Sequence, residues 1–188
     1  MVLRAYRHWG TSFVTRLHGM FALAIHERDS GRVVMARDRF GIKPLYLSQS
    51  ADGHRLRFAS TLPALLAGGD VDTRIDPVAL EHYLMWHAVV PPPRTLLQGV
   101  RKLPPATLTV WEADGRRTDT CYWNPPFNTD PALAALPDEA RQQQVLAALE
   151  TAVDRRMVAD VPVGVLLSGG VDSSLIVALL ARAGQKDL

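Results

Sequence analysis

The chain has 188 residues, 47% of them hydrophobic and 21% charged. That is the composition of a globular chain able to bury a core, and the length of one domain or two small ones. A net charge of +2 with no basic run or acidic tail argues against nucleic acid and anionic membrane, and the single cysteine, Cys121, excludes an intramolecular disulfide and a cysteine metal site.

Residues 2–17 read as helix, because Leu3, Tyr6, Trp9, Phe13 and Leu17 recur at three- and four-residue steps, with Gly10 as a break. Phe21, Leu23 and Ile25 share one face of a strand over 20–27. The turn Asp29-Ser30-Gly31 returns the chain as a second strand over 32–37. Between Arg37 and Tyr46, Gly41 and Pro44 demand a shaped loop. A third strand begins at Leu45, and after the turn Ala51-Asp52-Gly53-His54 a fourth covers 56–59. A short helix over 61–67 ends at Gly68-Gly69. Asp76 as N-cap and Pro77 at the first helical position start a helix to about His87. Residues 90–95, with three successive prolines, form a stiff connector. A hairpin follows, with strands over 107–112 and 117–123 around Ala113-Asp114-Gly115. The prolines at 125, 126, 131 and 137 make residues 125–137 a linker. The six histidines show no metal-ligand spacing, and Cys121 is expected to be a small buried hydrophobe.

Asp138 is expected to cap a long helix to about Met157, with Val145, Leu146, Leu149, Val153 and Met157 as its apolar stripe. Residues 163–167 are a short branched apolar run, the pattern of a strand buried on both faces of a parallel sheet. Ser168-Gly169-Gly170 breaks that run. Asp172-Ser173-Ser174 then opens a helix, with side chains expected to satisfy its first N–H groups. Residues 175–183 are apolar nearly all round, as if buried against a sheet. Strand, glycine loop and helix N-terminus together favour phosphate. No Gly-Lys-Ser/Thr follows the glycines, so this is not a Walker A loop. Asp172 would repel phosphate unless a cation lay between them, and Mg²⁺ bridging Asp172 and a pyrophosphate resolves the conflict.

Residues 168–174 resemble the pyrophosphate loop of the ATP pyrophosphatases in the form used by asparagine synthetases. Arg37-Asp38-Arg39-Phe40-Gly41-Ile42-Lys43-Pro44-Leu45-Tyr46 resembles the Arg-Asp-x-x-Gly-x-x-Pro-Leu-Tyr signature of class II glutamine amidotransferase domains. Lys102-Leu103-Pro104-Pro105-Ala106 and Tyr122-Trp123 are similar to the close of such a domain. The resemblance implies an α+β then α/β fold. Residues 1–124 would be the rear part of an N-terminal-nucleophile domain with stacked antiparallel sheets. Residues 138–188 would be the first βα unit of a doubly wound ATP pyrophosphatase domain. It further implies ATP bound by Leu167, Ser168, Gly169, Gly170, Asp172, Ser173 and Ser174, with Mg²⁺ on Asp172. Arg37, Asp38, Gly41 and Pro44 would shape their loop rather than supply a nucleophile. The family's nucleophile is an N-terminal cysteine; here Val2 follows Met1 and the glutamine-clamping loops are missing. The chain is therefore expected to be an interior fragment, truncated at both ends and inactive as a glutaminase.

By the same resemblance the complete protein is a cytoplasmic ligase and possible oligomer. It would adenylate a carboxylate acceptor with ATP and amidate it with glutamine-derived ammonia. Residues 62–69, 71–77 and 156–164 look most like the N-acetylglutaminylglutamine amidotransferases. Two alternatives stay open: another ATP pyrophosphatase such as a β-lactam synthetase-like enzyme, and a non-catalytic fragment or pseudoenzyme.

Overall fold

A computed structural model describes residues 1–50, 52–53 and 55–185. Ala51 and His54, the ends of one expected turn, lie outside the described residues, as do residues 186–188. The chain divides into two compact units, Met1–Pro125 and Pro126–Leu188.

In the first unit, helix α1 (Val2–Trp9) runs into a 3-10 helix (Gly10–Arg16). The break falls at Gly10, whose φ of 55° suits a residue without Cβ. Strands β1 (Ala22–His26) and β2 (Val33–Arg37) form the expected hairpin, with Leu23 opposite Ala36 and Ile25 opposite Val34. Strands β3 (Tyr46–Gln49) and β4 (Leu56–Ala59) form a second one. Helix α2 (Leu62–Ala67) is capped by Thr61, and α3 (Pro77–Met85) by Asp76, whose carboxylate accepts from the N–H groups of Val78 and Ala79 at 3.0 and 3.2 Å. The two-residue strand β5 (Arg101–Lys102) has no sequence signature; it exists because it pairs with β3. Strands β6 (Thr107–Trp111) and β7 (Arg117–Cys121) complete a four-stranded antiparallel sheet in the order β1-β2-β6-β7, beside a three-stranded sheet β4-β3-β5.

The two-residue alternation of β2 builds two cores. Val34 and Ala36 pack with Phe13, Val14, Ile25 and Leu108 under the helical layer. Met35, on the opposite face, packs with Leu45, Leu47 and Leu103 from the second sheet side. The larger sheet thus lies between a helical layer and the smaller sheet. Cys121 is exposed, contrary to expectation. β7 is an edge strand and every residue of it is solvent-exposed, so its polar run sits in water.

In the second unit, a short helix α4 (Pro131–Ala134) interrupts the expected linker. Asp130 caps it by accepting from the N–H of Ala132 at 2.9 Å. Helix α5 (Asp138–Arg156) has Pro137, not Asp138, at its N-cap; Asp138 is the first helical residue and is ion-paired with Arg141. Helix α6 (Val171–Arg182) packs Leu179 and Leu180 on Val153 of α5, with Leu146, Leu149, Met157 and Val165 around them. The expected buried strand over 163–167 is not formed. Residues 162–168 have no strand partner among the described residues, and Leu166 and Leu167 are 94% and 61% exposed. A strand exists only where a neighbour takes its N–H and C=O groups, and no such neighbour is described in this unit. For the same reason α6 rests on a helix rather than a sheet, and Leu175 and Ile176 remain exposed.

Candidate functional site

Two loops carry the residues singled out in the sequence, one in each unit. The first follows β2. The Arg37 side chain is buried and its guanidinium donates to three carbonyls: Lys43 at 2.8 Å, Leu103 at 2.6 Å and Gly41 at 2.6 Å. Burial draws its pKa below the ordinary arginine value, against the nearby Asp38 charge. Asp38 is 1% exposed, and its two oxygens accept four backbone N–H groups: Phe40 (3.2 Å) and Ile42 (2.9 Å) on Oδ1, Phe21 (3.2 Å) and Lys43 (3.0 Å) on Oδ2. Burial pushes the Asp38 pKa upward. The four donors, Lys43 and Ile42 foremost, outweigh it and hold the carboxyl below its ordinary range.

Gly41 is required where it stands. Its φ is +63°, and a Cβ would come 2.9 Å from Pro105 Cγ and 3.0 Å from Arg37 Cζ. Pro44 is half-buried and leads directly into Leu45, whose carbonyl accepts from the Leu103 N–H at 2.9 Å. The loop is locked from a distance as well. Ala106 N–H donates to the Asp38 carbonyl (2.9 Å), Tyr122 N–H to the Ala106 carbonyl (2.8 Å), and the Tyr122 hydroxyl to the Arg37 carbonyl (2.7 Å). Burial, then the Asp38 charge, pushes the Tyr122 phenol up to about 12. With its lone pairs on four N–H groups, Asp38 has no free edge for proton transfer; the arrangement can hold a loop.

The second loop precedes α6. Gly169 adopts φ +82°, turning the chain between the exposed 162–168 segment and the helix. Gly170 is the N-cap of α6, and no side chain caps the helix, which corrects the expected capping by Asp172 and the serines. Ser174 N–H makes the first helical bond, to the Gly170 carbonyl at 3.1 Å. The N–H groups before it point outward at the positive end of the helix. The hydroxyls of Ser168 and Ser173 lie 3.1 Å apart, and Ser173 Oγ also donates to the Gly170 carbonyl at 3.1 Å. Asp172, in the first turn, is exposed and makes no hydrogen bond or ion pair among the described residues. The loop therefore brings Ser168, Gly169, Gly170, Asp172, Ser173 and Ser174 together on an open surface. Leu167, just before it, is also exposed. Among the described residues no three His, Cys, Asp or Glu side chains converge to hold a metal ion, and no helix is long and apolar enough to cross a membrane.

The glutamine amidotransferase domain family matches residues 1–123, nearly two-thirds of the chain, and the asparagine synthase family matches residues 144–188. The chain belongs to the glutamine amidotransferase family. Three relatives in this family show the extent of the match. A Mycobacterium tuberculosis protein named as a glutamine-hydrolyzing asparagine synthetase is 40% identical over 185 residues, covering 96% of this chain and 28% of the relative. The glutamine-hydrolyzing asparagine synthetase 1 of Bacillus subtilis (strain 168) is 35% identical over 179 residues, 95% of this chain and 27% of the relative. The asparagine synthetase 3 of the same organism is 30% identical over 187 residues, 100% of this chain and 29% of the relative. The chain spans less than a third of the length of these curated relatives.

In this family member the signature residues Arg37, Asp38 and Gly41 meet in one hydrogen-bonded network, and Pro44 follows it in the chain. Sequence reasoning missed that Leu103, Ala106 and Tyr122 belong to it. The Pro-Pro-Ala turn and the Tyr-Trp pair were the available signal, but nothing local says that they close on a loop some 65 to 85 residues earlier.

Proposed function

We propose that the loop over residues 167–174 is a phosphate-binding site of an ATP-dependent, glutamine-using amidotransferase of the asparagine synthetase kind. The observation that carries this is the state of the loop. A positive-φ glycine leads into a helix whose first N–H groups take no side-chain cap, with two hydroxyls and one unspent carboxylate beside them. Anions favour such a helix start. The amides of Gly169, Gly170 and Ser173, with the Ser168 hydroxyl, would hold phosphate oxygens.

Asp172 fits a Mg²⁺ ligand. It is a single exposed carboxylate with no internal partner, and Mg²⁺ in nucleotide sites is commonly held by one or two carboxylates with substrate phosphates completing the shell. The bound ion would supply charge neutralisation of the departing pyrophosphate. Leu167 would lie at the edge of the nucleotide. Arg37, Asp38, Gly41 and Pro44 hold the first unit's loop and take no part in the chemistry, which agrees with the spent hydrogen bonds of Arg37 and Asp38. The whole protein's reaction would be adenylation of a carboxylate followed by attack of glutamine-derived ammonia, in the cytoplasm. The similarity to N-acetylglutaminylglutamine amidotransferases proposes a dipeptide acceptor. Titration of the 188-residue chain with pyrophosphate, with and without Mg²⁺, tests the site. Amide shifts confined to residues 168–174 and strengthened by Mg²⁺ are expected. Shifts elsewhere, or none, would contradict it.

A further inference from the structure

The second unit holds an apolar cleft that the phosphate reading does not use. It is bounded by α5, by residues 163–165 and by α6, and its volume is about 350 Å³. Val153 and Leu180 form its buried floor, and the half-buried Leu149, Met157 and Val165 stand around them. Every lining residue is apolar or glycine except Arg156, the last residue of α5. Arg156 is exposed and makes no ion pair or hydrogen bond among the described residues. No carboxylate lines the cleft. Glu150 of α5 is paired with Arg182 at 2.8 Å, and neither Asp154 nor Asp160 is part of the lining.

We propose that this cleft binds a medium-chain alkyl carboxylate, with its chain over Val153 and Leu180 and its head on the Arg156 guanidinium. The volume lies at the lower end of small-molecule sites, which run from about 300 to about 1,000 Å³. The lining has their composition, apolar with one polar group to fix orientation. A guanidinium fork meets a carboxylate with two parallel hydrogen bonds. Two other occupants fit less well. A single helical turn, about 10 Å across and about 5.4 Å long, already fills more than this volume, which argues against a partner helix. An alkylammonium would meet Arg156 as a like charge. The proposal does not depend on the proposed phosphate site, since none of residues 167–174 lines the cleft.

The test is methyl-selective NMR of the full 188-residue chain titrated with octanoate, and separately with octanol and octylammonium. Octanoate should shift the methyl signals of Leu149, Val153, Met157, Val165 and Leu180, and bind at least about tenfold more tightly than octanol. Arg156→Gln should lower octanoate affinity to the level of octanol and leave octanol unchanged. Ala152, exposed in the α5 wall of the cleft, provides an independent variant. Ala152→Leu keeps a strong helix former and takes up part of the space, so it should weaken octanoate and octanol alike, with the circular dichroism melt retained. Three results would overturn the proposal: no shifts at the cleft methyls, octanol or octylammonium binding as tightly as octanoate, or octanoate affinity unchanged in either folded variant. So would a chain that sediments as a dimer and whose cleft methyls ignore octanoate, because a second copy would then be the occupant.

Discussion

Asp38 is 1% exposed and its carboxylate accepts four backbone N–H groups. Asn would keep one acceptor oxygen and set an NH₂ against two backbone N–H donors, so Asp38→Asn should lose about 3–5 kcal/mol in urea unfolding. The pH dependence follows from the direction of its shift. Its folded pKa is depressed, so its stabilisation is present above the unfolded value near 4 and is lost as pH falls through the lower folded value. The protein should weaken below about pH 4, and Asp38→Asn should show a flatter acid limb; identical limbs would remove Asp38 as the cause. Gly41→Ala adds a left-handed alanine and a clash with Pro105, and should cost roughly 2–4 kcal/mol. The demand for a glycine at position 41 was readable from the Gly and Pro of the loop. The four-donor cradle was not, because one of its donors, Phe21, comes from the other side of the β1–β2 hairpin.

At the scale of elements, the strands and caps that rest on local pattern came out as read: the β1–β2 hairpin, β4, and the Asp76 cap of α3. The helix α3 ends earlier than its apolar pattern suggests, at Met85 rather than His87. His87 and Ala88 both turn left-handed, and the Ala88 N–H closes on the Tyr83 carbonyl at 2.8 Å. Glycine is the usual residue at such a helix end, and here none marks it. Ala88→Gly, exposed and at φ +68°, should therefore raise stability by about 0.5–1 kcal/mol. A lower melting temperature for this variant would refute the strain. The segment 162–168 shows the opposite failure. Its composition reads as a buried strand, but composition cannot supply the neighbour that makes one. Its amides should exchange with solvent far faster than those of β2 and β6 in hydrogen-exchange mass spectrometry.

At the scale of the molecule, each unit has its own apolar clusters, and they differ in size. The first unit buries two, one on each face of its larger sheet, whereas the second buries Val153, Leu179 and Leu180. The proposed site depends most on the smaller one, since the proposed phosphate loop begins α6 beside that cluster. Family membership was legible in two short motifs because each encodes backbone geometry, a positive-φ glycine beside polar groups. The exposure of Asp172 was not legible, because it depends on which N–H groups the loop leaves open. The decisive measurement is the Mg²⁺-dependent affinity of pyrophosphate for the wild-type chain and for Asp172→Asn. Since Asp172 caps nothing, Asn should leave the melt unchanged. It should lower affinity in Mg²⁺ by about 10²-fold if roughly 3 kcal/mol of electrostatic stabilisation is lost. Wild-type affinity in Asp172→Asn at saturating Mg²⁺ would contradict the proposed site.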